Sequence, residues 1–328
     1  MKIIKPSAEY MEHDDNSYKF IEKVGRICYK SEDKITSDSA IKFVEGLVKR
    51  QHYAMLEHET LFFKVSLNFL EDFVGDLISE NTDLLKYFNV SRLSNNSVIS
   101  GSFRSFLDLF ENITITSNPM EYMKYVLRIY FPTIFSKYYV KSEKVYASGT
   151  CSLIPRQVFV DYYKHYKEVL FKHLTHTVKF TCDRGVSHEF VRHRPCSFAQ
   201  ESTRYCNYYK DKFGEEITVI EPLFFERWVD EEHTCQSGQY WDWYSSCECA
   251  EKKYFELLKK GATPQEARSV LPNSLKTELV ITTTEKEWSH IVDLRFRGTT
   301  GAPHPQMKEV MSLAIKDLVE KSDGRIVQ

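Results

Sequence analysis

The sequence predicts a mixed α/β fold of the α+β kind, an antiparallel-leaning sheet flanked by helices, in a single domain spanning 1–328. Three observations carry this. Short runs rich in β-branched and aromatic residues at 60–66, 177–182 and 277–283 read as strands. Between and around them, apolar residues recur at helical spacing. Hydrophobic residues make up 42% and charged residues 27%, as in ordinary globular chains, and no repeat, low-complexity tract or Pro/Gly/Ser-rich linker marks a boundary.

Residues 16–30 and 38–50 read as amphipathic helices. In the second, Ile41, Val44, Leu47 and Val48 share a face, and Ser37 or Asp38 is placed to cap it. TLFFKVS at 60–66 is the first strand. From about 68 to 175 the pattern is mostly helical, with a short strand at Val98-Ile99 and a long amphipathic stretch from Ile154 to Leu174. TVKFTC at 177–182 is the second strand, followed by a short helix near Val186–His193. A long helix is expected over 238–260. Thr263-Pro264-Gln265-Glu266 is a helix start, with Thr263 as cap, Pro264 in the first turn and Glu266 closing a capping box; the helix runs to about Leu271. TELVITT at 277–283 is the third strand, and Trp288–Phe296 and Met307–Leu318 read as helices.

Several function classes are disfavoured at once. With 44 basic and 46 acidic residues the net charge is −2, whereas general nucleic-acid binders are clearly basic. The apolar runs are far too short to span a bilayer, and the N-terminus MKIIKPSAEYMEHDD lacks an apolar signal core, so a cytoplasmic location is expected. The eight cysteines are scattered, as expected of reduced thiols.

The most informative segment runs from Arg192 to Tyr205. Arg192-His193-Arg194 closes an apolar pattern, and Ser197, Gln200, Ser202, Thr203 and Arg204 follow. Guanidinium forks match phosphate and carboxylate geometry, and hydroxyls complete an anion cradle. A solvated basic loop is the plain alternative, since charge clusters usually face water. The spacing Arg-His-Arg, seven residues, Ser202 resembles the signature of the flavin-dependent thymidylate synthases. Three further stretches resemble the family in the same order: His52-Tyr53-Ala54-Met55-Leu56-Glu57-His58 before a strand, Ala267-Arg268-Ser269-Val270-Leu271-Pro272, and Leu294-Arg295 followed by His304-Pro305-Gln306 and Glu309. The segment at about 68–175 has no counterpart in compact members and is expected to be an insertion.

The resemblance implies methylation of dUMP to dTMP with bound FAD, NADPH and 5,10-methylenetetrahydrofolate, in a homotetramer with active sites between subunits. It implies that dUMP is held by Glu189, Arg192, Gln200, Glu201, Ser202, Thr203, Arg204, Arg268 and Arg295. Arg295 is the expected catalytic group, polarising the uracil edge. FAD contacts are implied for Arg192, His193, Arg194, Gln200, Thr284, Glu285, Lys286 and His290, and a folate- or flavin-side place for His52 and His193. Where the family often has Asn, Arg and Asn, this chain has Thr284, Lys286 and His290, and Ala54 replaces a common Ser or Thr. No structural metal is implied.

Other chemistries compete. His188-Glu189 with His193 resembles a shifted metalloprotease motif, but five residues put the imidazoles about 140° apart on a helix. His233, Cys235, Cys247 and Cys249 are a second zinc candidate, with Cys247-x-Cys249 tighter than usual zinc spacing. A non-enzymatic RNA- or ssDNA-binding module using the Arg cluster and the aromatics is the rival from another class. Cys196 and Cys206, each two residues after an Arg, are candidate nucleophiles of the kind a cysteine-dependent synthase needs, and are expected to be incidental.

Overall fold

In chain order the elements are β1 (Lys2–Ile4), β2 (Ser7–Tyr10), α1 (Ser17–Tyr29), α2 (Ser39–Lys49), β3 (Thr60–Val65), α3 (Leu67–Glu80), β4 (Phe88–Arg92), β5 (Ser97–Ser102), α4 (Phe103–Asn112), α5 (Asn118–Tyr130), α6 (Pro132–Phe135), β6 (Cys151–Ile154), α7 (Arg156–His165), α8 (Lys167–Leu170), β7 (Thr175–Asp183), α9 (Arg184–Phe190), β8 (Ser197–Gln200), β9 (Thr218–Ile220), β10 (Arg227–Trp228), β11 (Cys235–Gln236), α10 (Gly238–Lys259), α11 (Pro264–Ala267), β12 (Lys276–Thr284), α12 (Glu285–Val292) and α13 (Pro305–Lys321). This computed structural model describes all residues except 114–117, 139–149, 210–212, 226, 229–234, 237 and 328, with backbone alone at 227–228, 235–236 and 327.

Two four-stranded antiparallel sheets organise these elements. The first has the order β2-β7-β12-β8, the second β4-β5-β3-β6. Among the described strands only β1 and β9 pair in parallel. The expected mixed fold with an antiparallel-leaning sheet is therefore present. The first sheet is built on β7 and β12, nine residues each, whose Val, Ile, Phe and Thr side chains suit a pleated surface buried on both faces. Leu279 and Ile281 of β12 enter one apolar cluster with Val178, Phe180, Phe190, Trp288 and Met311, while Val280 faces another with α1.

The strand expected at 60–66 exists, but it pairs with β5 and β6 rather than with β7 or β12. The 68–175 segment holds the expected helices and adds β4, β5 and β6, which with β3 form a sheet of their own. Val98-Ile99 lies within β5. The stretch expected to be one amphipathic run from Ile154 to Leu174 is divided: Ile154 ends β6, Pro155 starts α7, and Tyr166 separates α7 from α8. Proline removes a donor and fixes φ, so the turn falls there. Phe62 of β3 stacks on Phe159 of α7 with ring centroids 4.0 Å apart, while Phe63 faces the opposite cluster with Phe106. This alternation buries both faces of β3.

Helix boundaries follow local chemistry. The capping box at Thr263 and Glu266 is formed in both directions. Asp38 sits at the cap of α2 without a side-chain hydrogen bond. No described helix is long and apolar enough to cross a membrane.

Candidate active site

The first sheet brings together residues about a hundred positions apart. β7 runs into α9 through Asp183, whose carboxylate accepts from the Val186 N–H at 2.7 Å. β12 runs into α12 through Thr284, whose hydroxyl accepts from the Glu287 N–H at 3.3 Å. Because β7 and β12 are antiparallel, these helices start at opposite ends of the sheet. Both pack into the same apolar cluster, through Val186 and Phe190 on one and Trp288, Ile291 and Val292 on the other. Their far ends meet, and there the polar residues gather.

Beyond Val292 the helix widens into a π-helical turn, Asp293–Arg297, closed by Gly298 at φ 73°. Such turns recur at functional sites. A Cβ on Gly298 would lie 2.9 Å from the Gly301 carbonyl oxygen, so glycine is required there. The turn carries Arg295, whose Nε donates to His193 Nε2 at 3.0 Å and whose Nη1 donates to Glu189 Oε2 at 2.8 Å. Nη2 approaches the Glu189 carbonyl oxygen at 3.4 Å. Three of the five guanidinium N–H donors are thus engaged and two are left over. Arg297 pairs with Asp293 at 3.0 Å.

His193 is buried, and the bond from Arg295 requires its Nε2 to be unprotonated, with the proton on Nδ1. Burial, then the Arg295 charge, then His290 push its pKa down to about 4, so the imidazole is neutral across the physiological range. The His290 ring lies edge-on at 6.3 Å. His193, Glu287 and His290 each offer one donor atom within 4.8 Å of the others, and Glu287 Oε1 is buried without a hydrogen-bond partner. A guanidinium directed at His193 opposes a cation in this cluster. Glu287 was not among the sequence-derived site residues.

A second group surrounds the loop after β8. Arg204 is exposed, and Arg268 Nη1 approaches Thr203 Oγ1 at 3.4 Å. The Ser202 hydroxyl accepts from the Arg204 N–H at 3.3 Å. Among the described residues, Arg192, Arg194, Arg204 and Arg268 have no carboxylate partner. Gln200 Nε2 donates to Ser187 at 2.9 Å and Thr277 at 3.3 Å. Glu201 differs from what its neighbours suggest: it is buried and paired with Lys276 at 2.8 Å, so its carboxylate braces the loop from within. Among the described residues no hydrogen bond or ion pair joins this group to Arg295, Glu189 and His193. His52 accepts or donates with the Tyr29 hydroxyl at 2.8 Å, beside Tyr205.

A cavity of about 540 Å³ opens between the two sheets. Arg194, Thr284, Lys286 and Glu287 line it, together with Glu57. Glu285 does not reach it. Its carboxylate lies in the core against His176 Nε2 at 2.9 Å and the Tyr163 hydroxyl, so the structure turns it away from any ligand in that cavity. The thiols are poor nucleophiles here: burial pushes Cys196 up to about 12, and Cys206 is buried. Of the zinc candidates, Cys247 is buried and Cys249 exposed, on different faces of α10, and His233 lies outside the described residues. His188 is exposed on α9, apart from buried His193.

The fold and site together define an α+β protein of mixed helix and antiparallel sheet, with guanidinium groups free of carboxylate partners on a loop and a cavity lined by both cations and carboxylates. The family model described as "Thymidylate synthase complementing protein" matches residues 154–321, just over half of the chain, and the chain belongs to that family. It is 29% identical over 129 residues to a flavin-dependent thymidylate synthase of Pyrococcus abyssi, covering 39% of this chain and 49% of that one. It is 31% identical over 165 residues to one of Corynebacterium aurimucosum, covering 47% and 62%. The chain thus spans about half to three fifths of the length of these curated relatives. Among solved structures, a UMP/dUMP methylase PolB from Streptomyces cacaoi bound with 5-Br dUMP aligns over 99% of this chain and 96% of that one, at 13% identity and TM-score 0.41.

Proposed function

We propose that this protein is a flavin-dependent thymidylate synthase. It converts dUMP to dTMP with bound FAD, takes the carbon from 5,10-methylenetetrahydrofolate and is reduced by NADPH. The observation that carries the reading is the Arg295 guanidinium, held between Glu189 and neutral His193 with two donors unengaged. A guanidinium stays protonated in a protein. Fixed before substrate arrives, it is suited to hold the uracil edge and to stabilise negative charge as the N3 proton is lost.

The residues present fit an anionic dinucleotide. Arg194, Thr284 and Lys286 line a cavity whose volume lies in the range of about 300–1,000 Å³ common to ligand sites. Arg192, His193 and His290 would border the flavin from the α9 and α12 side. When bound, the flavin supplies the hydride that completes the methyl group. His193 presents Nδ1–H as a donor on the side away from Arg295. Arg192, Ser202, Thr203, Arg204 and Arg268 supply the donors for the nucleotide phosphate and sugar, and Gln200, anchored to Ser187, orients the base. Active sites assembled between subunits of a homotetramer are part of this reading.

The test is spectroscopic and enzymatic. Purified protein with FAD should show a flavin spectrum that dUMP perturbs, and should form dTMP from dUMP, methylenetetrahydrofolate and NADPH. Saturating FAD that leaves no spectral or calorimetric trace would overturn the reading.

A further inference from the structure

The function proposed above leaves one wall of the 540 Å³ cavity without a role. That wall comes wholly from the 68–175 segment. Lys86, Tyr87 and Asn89 enter it where β4 begins, Ser100 and Ser102 where β5 ends, and Lys172 just before β7. Facing them are Arg194, Thr283 and Lys286.

Three carboxylates share the lining, Glu57 and Asp108 paired with Arg104, and Glu287 beside Lys286; none lies within ion-pair distance of Lys172. Among the described residues, neither Lys172 nor Lys286 has an ion-pair or hydrogen-bond partner. Burial and the Lys286 charge together hold the Lys172 ammonium below its ordinary value. Arg104, on the same wall, behaves differently. It pairs with Glu57 at 2.5 Å and Asp108 at 3.4 Å, so it ties α4 to the turn carrying His58 and leaves no spare charge. Two like charges facing each other in a half-enclosed space, with Glu287 offsetting the Lys286 side, still repel until an anion sits between them. The hydroxyls on these walls are engaged within the protein: Thr283 donates to the Pro195 carbonyl oxygen at 2.7 Å, Ser100 bonds His173 at 2.8 Å and Ser102 bonds Ser105 at 2.9 Å, so the two ammonium groups are left as donors facing the space.

We propose that the 68–175 segment builds half of the FAD site, with Lys172 standing across from Lys286 to clamp the cofactor's diphosphate. This rests on the flavin reading above and adds to it a second binding wall. A diphosphate carries two negative charges on short-spaced oxygens, which matches two ammonium groups on opposite walls. The second sheet then has a purpose at the site: β4 and β5 hold Asn89, Ser100 and Ser102 in register, and the Arg104–Glu57 pair fixes α4 to the turn that leads into β3.

The experiment is a titration of flavin-free protein with FAD, followed by flavin absorbance, and a competition with ADP, which carries the diphosphate and adenine without the flavin. Parent, K172E, K172M and K172R are compared, each checked for folding by its melting transition. K172E should raise the Kd for FAD by roughly tenfold or more, the loss of one charge-assisted contact. K172M should raise it less, K172R should stay near the parent, and ADP should compete in the parent but poorly in K172E. If the parent binds FAD and forms dTMP while folded K172E binds FAD as tightly, the clamp is wrong and the flavin reading stands. If K172E instead raises KM for NADPH or folate with FAD affinity unchanged, the clamp is equally wrong. A parent that binds no FAD overturns the reading on which the clamp rests.

Discussion

Replacing Arg295 by alanine separates a catalytic guanidinium from a structural one. The side chain makes a 2.8 Å bond to Glu189 and a 3.0 Å bond to His193 Nε2. The ion pair is partly solvated, with the two side chains 23% and 33% exposed, so screening leaves it worth about 1 kcal/mol or less. The bond to neutral imidazole adds about 1 kcal/mol. The expected loss of stability is therefore roughly 1–2 kcal/mol, a few degrees in Tm. Removing a pre-positioned charge from developing negative charge costs far more in rate, about a hundred- to a thousandfold in kcat. The assay is single-turnover dTMP formation by R295A and R295K, with FAD content measured by absorbance in the same samples. The His193 imidazole, followed by NMR, should titrate above its value of about 4 once the Arg295 charge is gone, without reaching an ordinary histidine's value, because burial is the larger cause. An R295A enzyme that retains FAD and turns over within about threefold of the parent would remove Arg295 from the chemistry.

Three further expectations are independent of that one. R268A should weaken dUMP binding by roughly tenfold in calorimetry and leave FAD retention unchanged, since Arg268 approaches Thr203 rather than the cavity; unchanged dUMP affinity would take it out of the site. The double mutant C196A/C206A should form dTMP within about tenfold of the parent, because burial pushes the Cys196 thiol up to about 12; complete loss of turnover in a folded, flavin-loaded protein would point to a thiolate nucleophile. Burial raises Glu59 to about 8, so the folded state keeps a proton that the unfolded chain releases above about 4.5. The stability this gives is full below about 4.5 and is lost as pH rises through about 8. Tm should fall across that range in the parent and fall less in E59Q; parallel slopes would show that Glu59 is not the titrating group.

Much of this was legible where the signal is local. Thr263, Pro264 and Glu266 specify a helix start within four residues, and the structure forms it. β7 and β12 are recognisable because β-branched residues run unbroken through strands buried on both sides. β4 and β6 were not recognised: FNVSR and CSLI are short and partly polar, and they are strands because β5 and β3 lie beside them. β3 was identified as a strand but its partners were not, since pairing with residues 97–102 and 151–154 is a long-range event that no local pattern encodes. At the site, Arg-His-Arg and Ser202 stand out by their resemblance to the family's spacing, since the residues alone also suit a solvated basic loop. The inward turn of Glu285 could not be seen, because a carboxylate in the first turn of a helix ordinarily faces solvent; here His176 and Tyr163 wait beneath it. Lys172 has no motif at all; the fold brings the turn before β7 to line the same cavity as Lys286.

The π-helical turn has an evolutionary reading. A turn of this kind holds one more residue than the α-helix it interrupts, so it records a change in chain length rather than in side-chain identity. Deleting Leu294 would restore α-helical spacing and swing the guanidinium that follows by about 100° around the axis, away from Glu189 and His193. The apolar ridge of Trp288, Ile291 and Val292 lies before the turn and would keep its seat on the sheet. The loss of one residue is therefore enough to take the guanidinium out of the polar cluster while the helix keeps its seat.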